Sequence, residues 1–259
     1  MSLRAALCCC TLLPALAAQD SEVPLALNLP TAQMLRDWQP AIRFTHRFTE
    51  SARDHSKDLY GLDGGNYAGF GLDLGIKAVP GLNAQIYRTA DNKTLVLALQ
   101  EQILNLDHVR LSARVERFDE TVKRITLPSG TLGISGVAVQ VPVQALWGAF
   151  TFSLVPTWLS LTSTQDRGLA TVGLGAGWSF REGQSLLGEV CPLPSRLDSG
   201  TYEQGYALGY RFATKGHRFT LLATNTPGTT THQVLGGDYT GGPRPASRWS
   251  LGFNLVRMF

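Results

Sequence analysis

Long apolar stretches and charge are both scarce in this chain. It has no run of about 18 apolar residues, the length that a helix needs to cross a bilayer, so a transmembrane helix is excluded. Charged residues make up 17% of the 259 residues, against about a quarter in ordinary soluble domains. The net charge of +3 comes without a basic patch interleaved with aromatics, so no nucleic-acid partner is expected.

Cysteine and metal-ligand patterns are also nearly missing. Cys191 is the only cysteine outside the N-terminal leader, so the processed chain cannot form an internal disulfide. None of the five histidines shows the spacing of a metal site. There is no Gly-x-Ser-x-Gly nucleophile elbow. We expect no cofactor, no metal site and no catalytic residues.

The N-terminus resembles a secretory signal peptide. Arg4 supplies the positive charge, an apolar core follows from Ala5 to Leu16, and small residues suit cleavage after it. We predict a cleaved signal peptide at residues 1–18 and a periplasmic segment at 19–37. The remaining residues, 38–259, then form one domain.

Twelve extended segments follow the leader. From Ala170 to Phe180 every second residue is apolar, while the intervening residues are Thr, Gly or Ser. This period of two predicts a strand with one apolar face. The predicted strands are 38–48, 68–77, 82–90, 94–104, 108–117, 134–144, 149–160, 168–181, 184–191, 201–212, 217–225 and 248–259.

The connections between these segments alternate in length. Those after even-numbered segments are short, whereas those at 49–67, 118–133, 192–200 and 226–247 are long. Outer-membrane barrels have short periplasmic turns and long outer loops. The sequence therefore predicts an all-β, closed antiparallel transmembrane β-barrel of about 12 strands, with 10 to 14 possible. It would lie in the outer membrane of a Gram-negative cell, with both termini periplasmic and lipid as its surroundings.

The final strand is typical of an assembly signal. It is amphipathic and ends with the chain on an aromatic residue, which is the feature that the barrel-assembly machinery would bind. Arg257 interrupts its apolar face near the membrane edge, where the side-chain stem can snorkel. The predicted signal consists of Trp249, Leu251, Phe253, Leu255 and Phe259.

The opposite faces of the strands carry charged residues of both signs. Buried charges must be paired or hydrated, so they indicate either an ion-pair network that fills the lumen or a hydrated pore. Inward glycines such as Gly173 and Gly209 provide either space or strand curvature, and we favour curvature. The candidate lumen-lining residues are Asp73, Arg110, Arg114, Glu116, Glu189, Glu203, Arg211 and Arg218.

Three functions are compatible with this pattern. The leading prediction is porin-like passage of small polar solutes through a charge-paired lumen. The alternative is a non-conducting structural or anchoring barrel whose outer loops, especially 226–247, bind a partner. The third is a lipid-modifying enzyme with a Ser–His–acid site assembled across strands.

Several short segments together resemble a known family. They are the stretches Phe44–Phe48, Leu59–Asp63, Leu154–Thr157, Thr224–Thr226 and Phe253–Phe259. The sequence is similar over roughly 40–259 to the uncharacterised bacterial β-barrel family catalogued as domain of unknown function 5777. This resemblance implies an outer-membrane barrel and supplies no activity or site residue. The chain departs from the family near 93–104.

Overall fold

A computed structural model describes residues 26–48, 50, 62, 66–79, 81–90, 93–127, 130–160, 168–193, 203–236, 243–245 and 247–259. Thirteen strands and one short helix lie within these ranges. The predicted signal peptide and most of the predicted 49–67 loop lie outside them. No helix in the described part of the chain is long and apolar enough to cross a bilayer.

The strands follow one another along the chain with short or long connections. They are β1 (Pro40–Phe48), β2 (Asn66–Ile76), β3 (Leu82–Thr89), β4 (Leu95–Asn105), β5 (Val109–Leu127), β6 (Gly130–Gln140), β7 (Val143–Trp147), β8 (Phe150–Leu159), β9 (Leu169–Arg181), β10 (Gln184–Cys191), β11 (Gly205–Ala213), β12 (His217–Thr224) and β13 (Ser250–Met258). The helix α1 (Thr231–Gly236) lies between β12 and β13.

The sheet closes into a ring. Neighbouring strands pair antiparallel, and β1 pairs with β13 to complete the circle. β6 and β7 are two halves of one strand, because both lie between β5 and β8. The interruption at Val141 and Pro142 keeps its ladder bonds: Val141 N donates to Pro156 O, and Pro142 O accepts from Ser112 N, both at 3.0 Å. The barrel therefore has twelve strands, and the predicted fold class is confirmed.

One predicted connection is wrong. Residues 118–133 were expected to form a long loop, but β5 continues to Leu127 and β6 starts at Gly130. The two strands remain paired, for example at Glu120 with Ile134. The polar composition of this stretch resembles a loop, yet each strand still satisfies the other's backbone hydrogen bonds.

The outside of the barrel is apolar. On β4, Leu97 and Leu99 are exposed while the alternating Val96 and Gln100 are buried. On β13, Asn254 and its alternating neighbours are buried, and the residues between them are partly exposed. An exposed apolar exterior with a buried, more polar interior is the arrangement that a lipid environment requires.

The two ends of the barrel differ. At the turn end, the connections 77–81, 106–108, 148–149, 182–183 and 214–216 are short; at the loop end, they include 192–204 and 225–249. Both ends of the strand series meet at the turn end, where Phe259 N donates to Pro40 O at 3.1 Å.

An aromatic belt surrounds part of the turn end. Phe150 stacks with Trp178 at 6.3 Å between ring centroids, Trp178 contacts Phe180 at 5.5 Å, and Phe180 contacts Tyr210 at 6.4 Å. Rings of this kind favour the level of the lipid headgroups. The belt therefore indicates where the apolar band of the exterior ends.

A charge on the exterior should destabilise the barrel according to depth. Leu208 lies near the middle of β11 and is 62% exposed, whereas Leu106 lies in a connection at the turn end and is 56% exposed. We expect Leu208→Arg to lower the free energy of unfolding by about 2–4 kcal/mol and Leu106→Arg by at most about 1 kcal/mol. Denaturant unfolding in lipid vesicles measures both. Equal losses at the two positions would contradict a lipid-covered exterior.

Candidate functional site

Residues 26–36, which we term the inner segment, run through the barrel interior. They contact β1, β4, β7, β9, β10, β11 and β13. Leu27, Leu29 and Ala32 are at most 1% exposed. A segment that contacts strands on all sides of a ring must lie inside it. Residues 26–36, part of the segment predicted at 19–37, therefore lie in the barrel interior.

A carboxylate from the wall holds the innermost bend of this segment. Glu189 on β10 accepts hydrogen bonds from three successive backbone N–H groups, those of Leu27 at 2.7 Å, Asn28 at 2.8 Å and Leu29 at 3.2 Å. Ala26 N donates to Leu29 O at 2.9 Å and closes the turn. Converging N–H groups of this kind form an anion-binding nest. Here the bound anion is the protein's own side chain.

The carbonyl side of the same bend is held from another part of the wall, at β1 and β13. Asn254 Nδ2 on β13 donates to Leu27 O at 2.7 Å. Arg47 on β1 donates to Asn254 Oδ1 at 2.8 Å and to Asn28 Oδ1 at 3.0 Å. The Arg47 guanidinium is thus buried with partners, which offsets the cost of removing it from water.

Side-chain amides hold the segment further toward the turn end. Gln100 and Gln102 on β4 donate to the backbone oxygens of Thr31 at 2.7 Å and Ala32 at 3.0 Å. Gln144 on β7 accepts from Ala32 N at 3.1 Å. The wall therefore pairs the segment's backbone groups with its own polar side chains.

Two inward glycines receive the leucine side chains of the inner segment. A Cβ atom added at Gly173 or at Gly209 would lie 2.5 Å from the nearest side-chain carbon of Leu29 or Leu27, respectively. These glycines provide space, the alternative to the strand curvature that we favoured from the sequence. They allow another part of the chain to approach the wall closely.

A second element fills the lumen from the loop end. Residues 229–236, which we term the cap, include helix α1 and lie against the inner wall. His232 Nε2 lies 2.6 Å from Glu120 Oε2, and its ring stacks on Phe118 with 4.2 Å between centroids. The Thr231 hydroxyl donates to Glu116 Oε2 at 3.0 Å. Polar contacts with β5 therefore anchor the cap.

The cap and the inner segment meet inside the barrel. Val234 and Leu235 of the cap belong to one buried apolar cluster with Leu29 of the inner segment and with Val155 and Leu159 of the wall. Burying side chains of this size contributes about 1.5–3 kcal/mol each. The loop-end half of the lumen is therefore packed in the manner of a protein core.

The structure buries five of the eight charged residues proposed to line the lumen. Asp73 pairs with Arg43 on β1 at 3.5 Å, and Arg114 pairs with Glu116 at 3.1 Å. The fourth, Glu189, binds the inner segment as described. The fifth, Arg211, donates to Ala26 O at 2.5 Å. All five lie on the inner wall. Asp73, Arg114 and Glu116 form ion pairs within the wall, whereas Glu189 and Arg211 bind the inner segment.

The other three candidates lie elsewhere. Arg110 and Arg218 are half-buried near the turn end, and Arg218 donates to the Thr214 carbonyl there. Glu203 is exposed and precedes β11, which begins at Gly205, so its placement on a barrel strand was wrong. Counting in steps of two from the buried Gly205 and Ala207 would turn Glu203 inward, but Glu203 lies outside the strand.

Several inner residues that hold this arrangement were not among the predicted lumen residues. Arg43 and Arg47 alternate with Phe44 and His46 on β1, so the period of two already placed them on the inner face. Alternation along β1 therefore suffices to predict both arginines as lumen-lining residues. In contrast, nothing local in the sequence indicates that the cap residue His232 reaches Glu120.

Two small cavities flank the inner segment. The cap cavity, of about 30 Å³, lies between the inner segment, the wall and the cap, and the wall cavity, of about 60 Å³, lies along β7 to β11. Spaces of this size hold a few water molecules. Among the described residues, no group of three or more His, Cys, Asp or Glu side chains is placed to hold a metal ion.

A closed ring with an apolar exterior and a polar, occupied interior defines an outer-membrane β-barrel. Residues 143–259 match the family model of DUF5777, described as a membrane-bound beta barrel domain, which confirms the resemblance noted from the sequence over that part of the chain. No curated protein matches the chain.

Solved structures share this fold. The chain is similar to the KdgM porin with a TM-score of 0.55 and 8% identity, over 85% of this chain and 99% of that chain. It is also similar to the COG4313 outer membrane channel from Pseudomonas putida F1, with a TM-score of 0.54 and 13% identity, over 93% and 98% of the two chains. At these identities the likeness concerns the fold alone.

The Glu189 contact should determine how often the inner segment leaves the wall. Glu189→Ala removes the acceptor of three backbone N–H groups, and hydrogen bonds to a charged group contribute about 1.5–3 kcal/mol each. We expect amide hydrogen exchange at residues 27–29 to accelerate at least about 100-fold in lipid nanodiscs. Glu203→Ala, at an exposed position, is the control. Unchanged exchange in Glu189→Ala would show that this contact does not hold the segment.

Proposed function

We propose that this barrel passes small polar solutes across the outer membrane and is closed at rest by the inner segment together with the cap. In this proposal the turn end faces the periplasm, as in barrels with short periplasmic turns. The charged side chains of the wall then serve two states. They bind the inner segment when the lumen is closed and are hydrated when it is open.

The observation that carries this proposal is how the inner segment is attached. Its backbone is held by wall side chains: Glu189, Arg47 and Asn254 bind the bend, and Gln144 binds Ala32. If the segment withdrew, carboxylate, guanidinium and amide groups would face the lumen, and water could satisfy them. Such a wall suits a polar passage better than a permanently filled core.

A non-conducting barrel is the second candidate. It is favoured by the apolar packing of Val234 and Leu235 of the cap against the wall and Leu29, because a permanently filled barrel has this kind of interior. In that case the loop end would present a surface to a partner. Conductance distinguishes the two candidates.

A side chain in the space that Gly173 leaves for Leu29 should open the lumen. A side chain at Gly173 collides with Leu29, whereas at Gly175, two residues along the same face of β9, the nearest atoms belong to Ser153 and Gly188. We expect Gly173→Val to raise the open fraction in planar bilayers at least about tenfold. This corresponds to a loss of about 1.4 kcal/mol in the free energy that favours the closed state. Gly175→Val should resemble the unaltered protein.

Deleting residues 26–36 tests the same idea without adding a side chain. Folding of every variant is verified first by the difference in migration between boiled and unboiled samples. If the folded Gly173→Val variant, the deletion and a variant that lacks both residues 26–36 and the cap all stay silent across salts and voltages, the barrel does not conduct and the second candidate holds.

A further inference from the structure

We infer that the cap cavity is a binding site for the hydroxyl groups of a small neutral polyol or sugar. This inference rests on the proposed function and names the class of solute that the channel would take. The cavity is lined by Arg43, Tyr87, Arg114 and Glu116 of the wall, by Asn28 of the inner segment and by residues 229–231 of the cap.

Two buried polar atoms of the cavity lining have no hydrogen-bond partner. They are Arg43 Nε, a donor, and Glu116 Oε1, an acceptor, on side chains that are 7% and 2% exposed. A hydroxyl group both donates and accepts. An anion offers only acceptors and a cation only donors, so neither satisfies both atoms.

The charges around the cavity are already compensated. Arg43 lies 3.5 Å from Asp73, and Arg114 lies 3.1 Å from Glu116. A charged solute in this net-neutral lining would either be buried without a counter-charge or break one of these pairs, and both are strongly destabilising. A neutral solute leaves both pairs intact.

The cap places its own hydroxyl groups on polar side chains of the same cavity wall, beside the two unpartnered atoms. The Thr231 hydroxyl donates to Glu116 Oε2 at 3.0 Å, and the Thr229 hydroxyl accepts from the Tyr87 hydroxyl at 2.7 Å. These two threonines do in the closed state what the hydroxyls of a polyol would do once the cap moves. The cavity is too small for a sugar until then, so the solute and the cap threonines compete for one set of partners.

The wall cavity, on the other side of the inner segment, has a similar lining. Thr151, Ser153 and Ser179 contribute hydroxyl groups to it, and Gln144 contributes an amide. Groups that both donate and accept suit a neutral hydroxylated solute along this wall as well. The two cavities therefore agree in the chemistry that they offer.

The test uses the Gly173→Val protein and three probes, xylose and glycerol as neutral solutes and gluconate as an anion. Equilibrium dialysis measures binding directly, and the block of ion current measures occupancy of the lumen. We expect xylose to bind with half-saturation in the millimolar range and gluconate to bind more weakly. Gluconate binding as tightly as xylose would overturn the inference, as would no xylose binding, which would leave the cavity to water alone.

Two substitutions should change xylose binding in opposite directions. Thr231→Val removes a competing hydroxyl without altering the wall and should lower the half-saturating concentration severalfold. Glu116→Gln removes the charged acceptor and should raise it about tenfold, the loss of one charge-assisted hydrogen bond. Glu182→Gln, in an exposed turn, is the control.

The outcomes separate this inference from the proposed function. Xylose binding in a protein that never conducts would support the site and reject the channel. Conduction without xylose binding, or with binding that Thr231→Val and Glu116→Gln leave unchanged, would support the channel and reject the site.

Discussion

The absence of hydrogen-bond partners in lipid is the constraint on which this structure depends. Because the hydrocarbon core offers nothing to a free N–H or C=O group, the sheet must close on itself. The ladder between β1 and β13, from Ala41 opposite Met258 to Arg47 opposite Gly252, completes that closure. Once the ring is closed, alternation along each strand sends one set of side chains to lipid and the other to the interior. The polar set then needs partners inside.

The interior meets that need with parts of the same chain. Glu189 and Arg47 are buried charges, and a buried charge is tolerated only when it is paired and hydrogen-bonded. The bend at Leu27–Leu29 offers N–H groups to Glu189, and the carbonyl of Leu27 is held by Asn254. The wall and the inner segment thus satisfy each other's hydrogen-bonding groups. Without the other, each would need water to satisfy these groups.

Most of the barrel could be predicted because its signals are local. The alternation in β9 shows which face each residue occupies. The lengths of the connections indicate the direction and order of the strands. The inner segment has no such period, and the bond between Leu27 and Glu189 spans 162 residues, so only folding reveals it. Among the candidate site residues, alternation found Asp73 and Arg114. Glu203 was misplaced because the alternating pattern of the sequence starts before β11 itself begins at Gly205.

The contact between the cap and the inner segment links the two ends of the barrel. Leu29 and Val234 share one apolar cluster, so movement of either element exposes apolar surface of the other, at about 25 cal/mol per Å². An influence on the cap must therefore change the stability of the inner segment, and thermodynamic linkage makes the effect reciprocal. A solute that replaces the hydroxyl of Thr231 at the loop end would loosen the closure formed by Glu189. Opening would then depend on the solute's own binding.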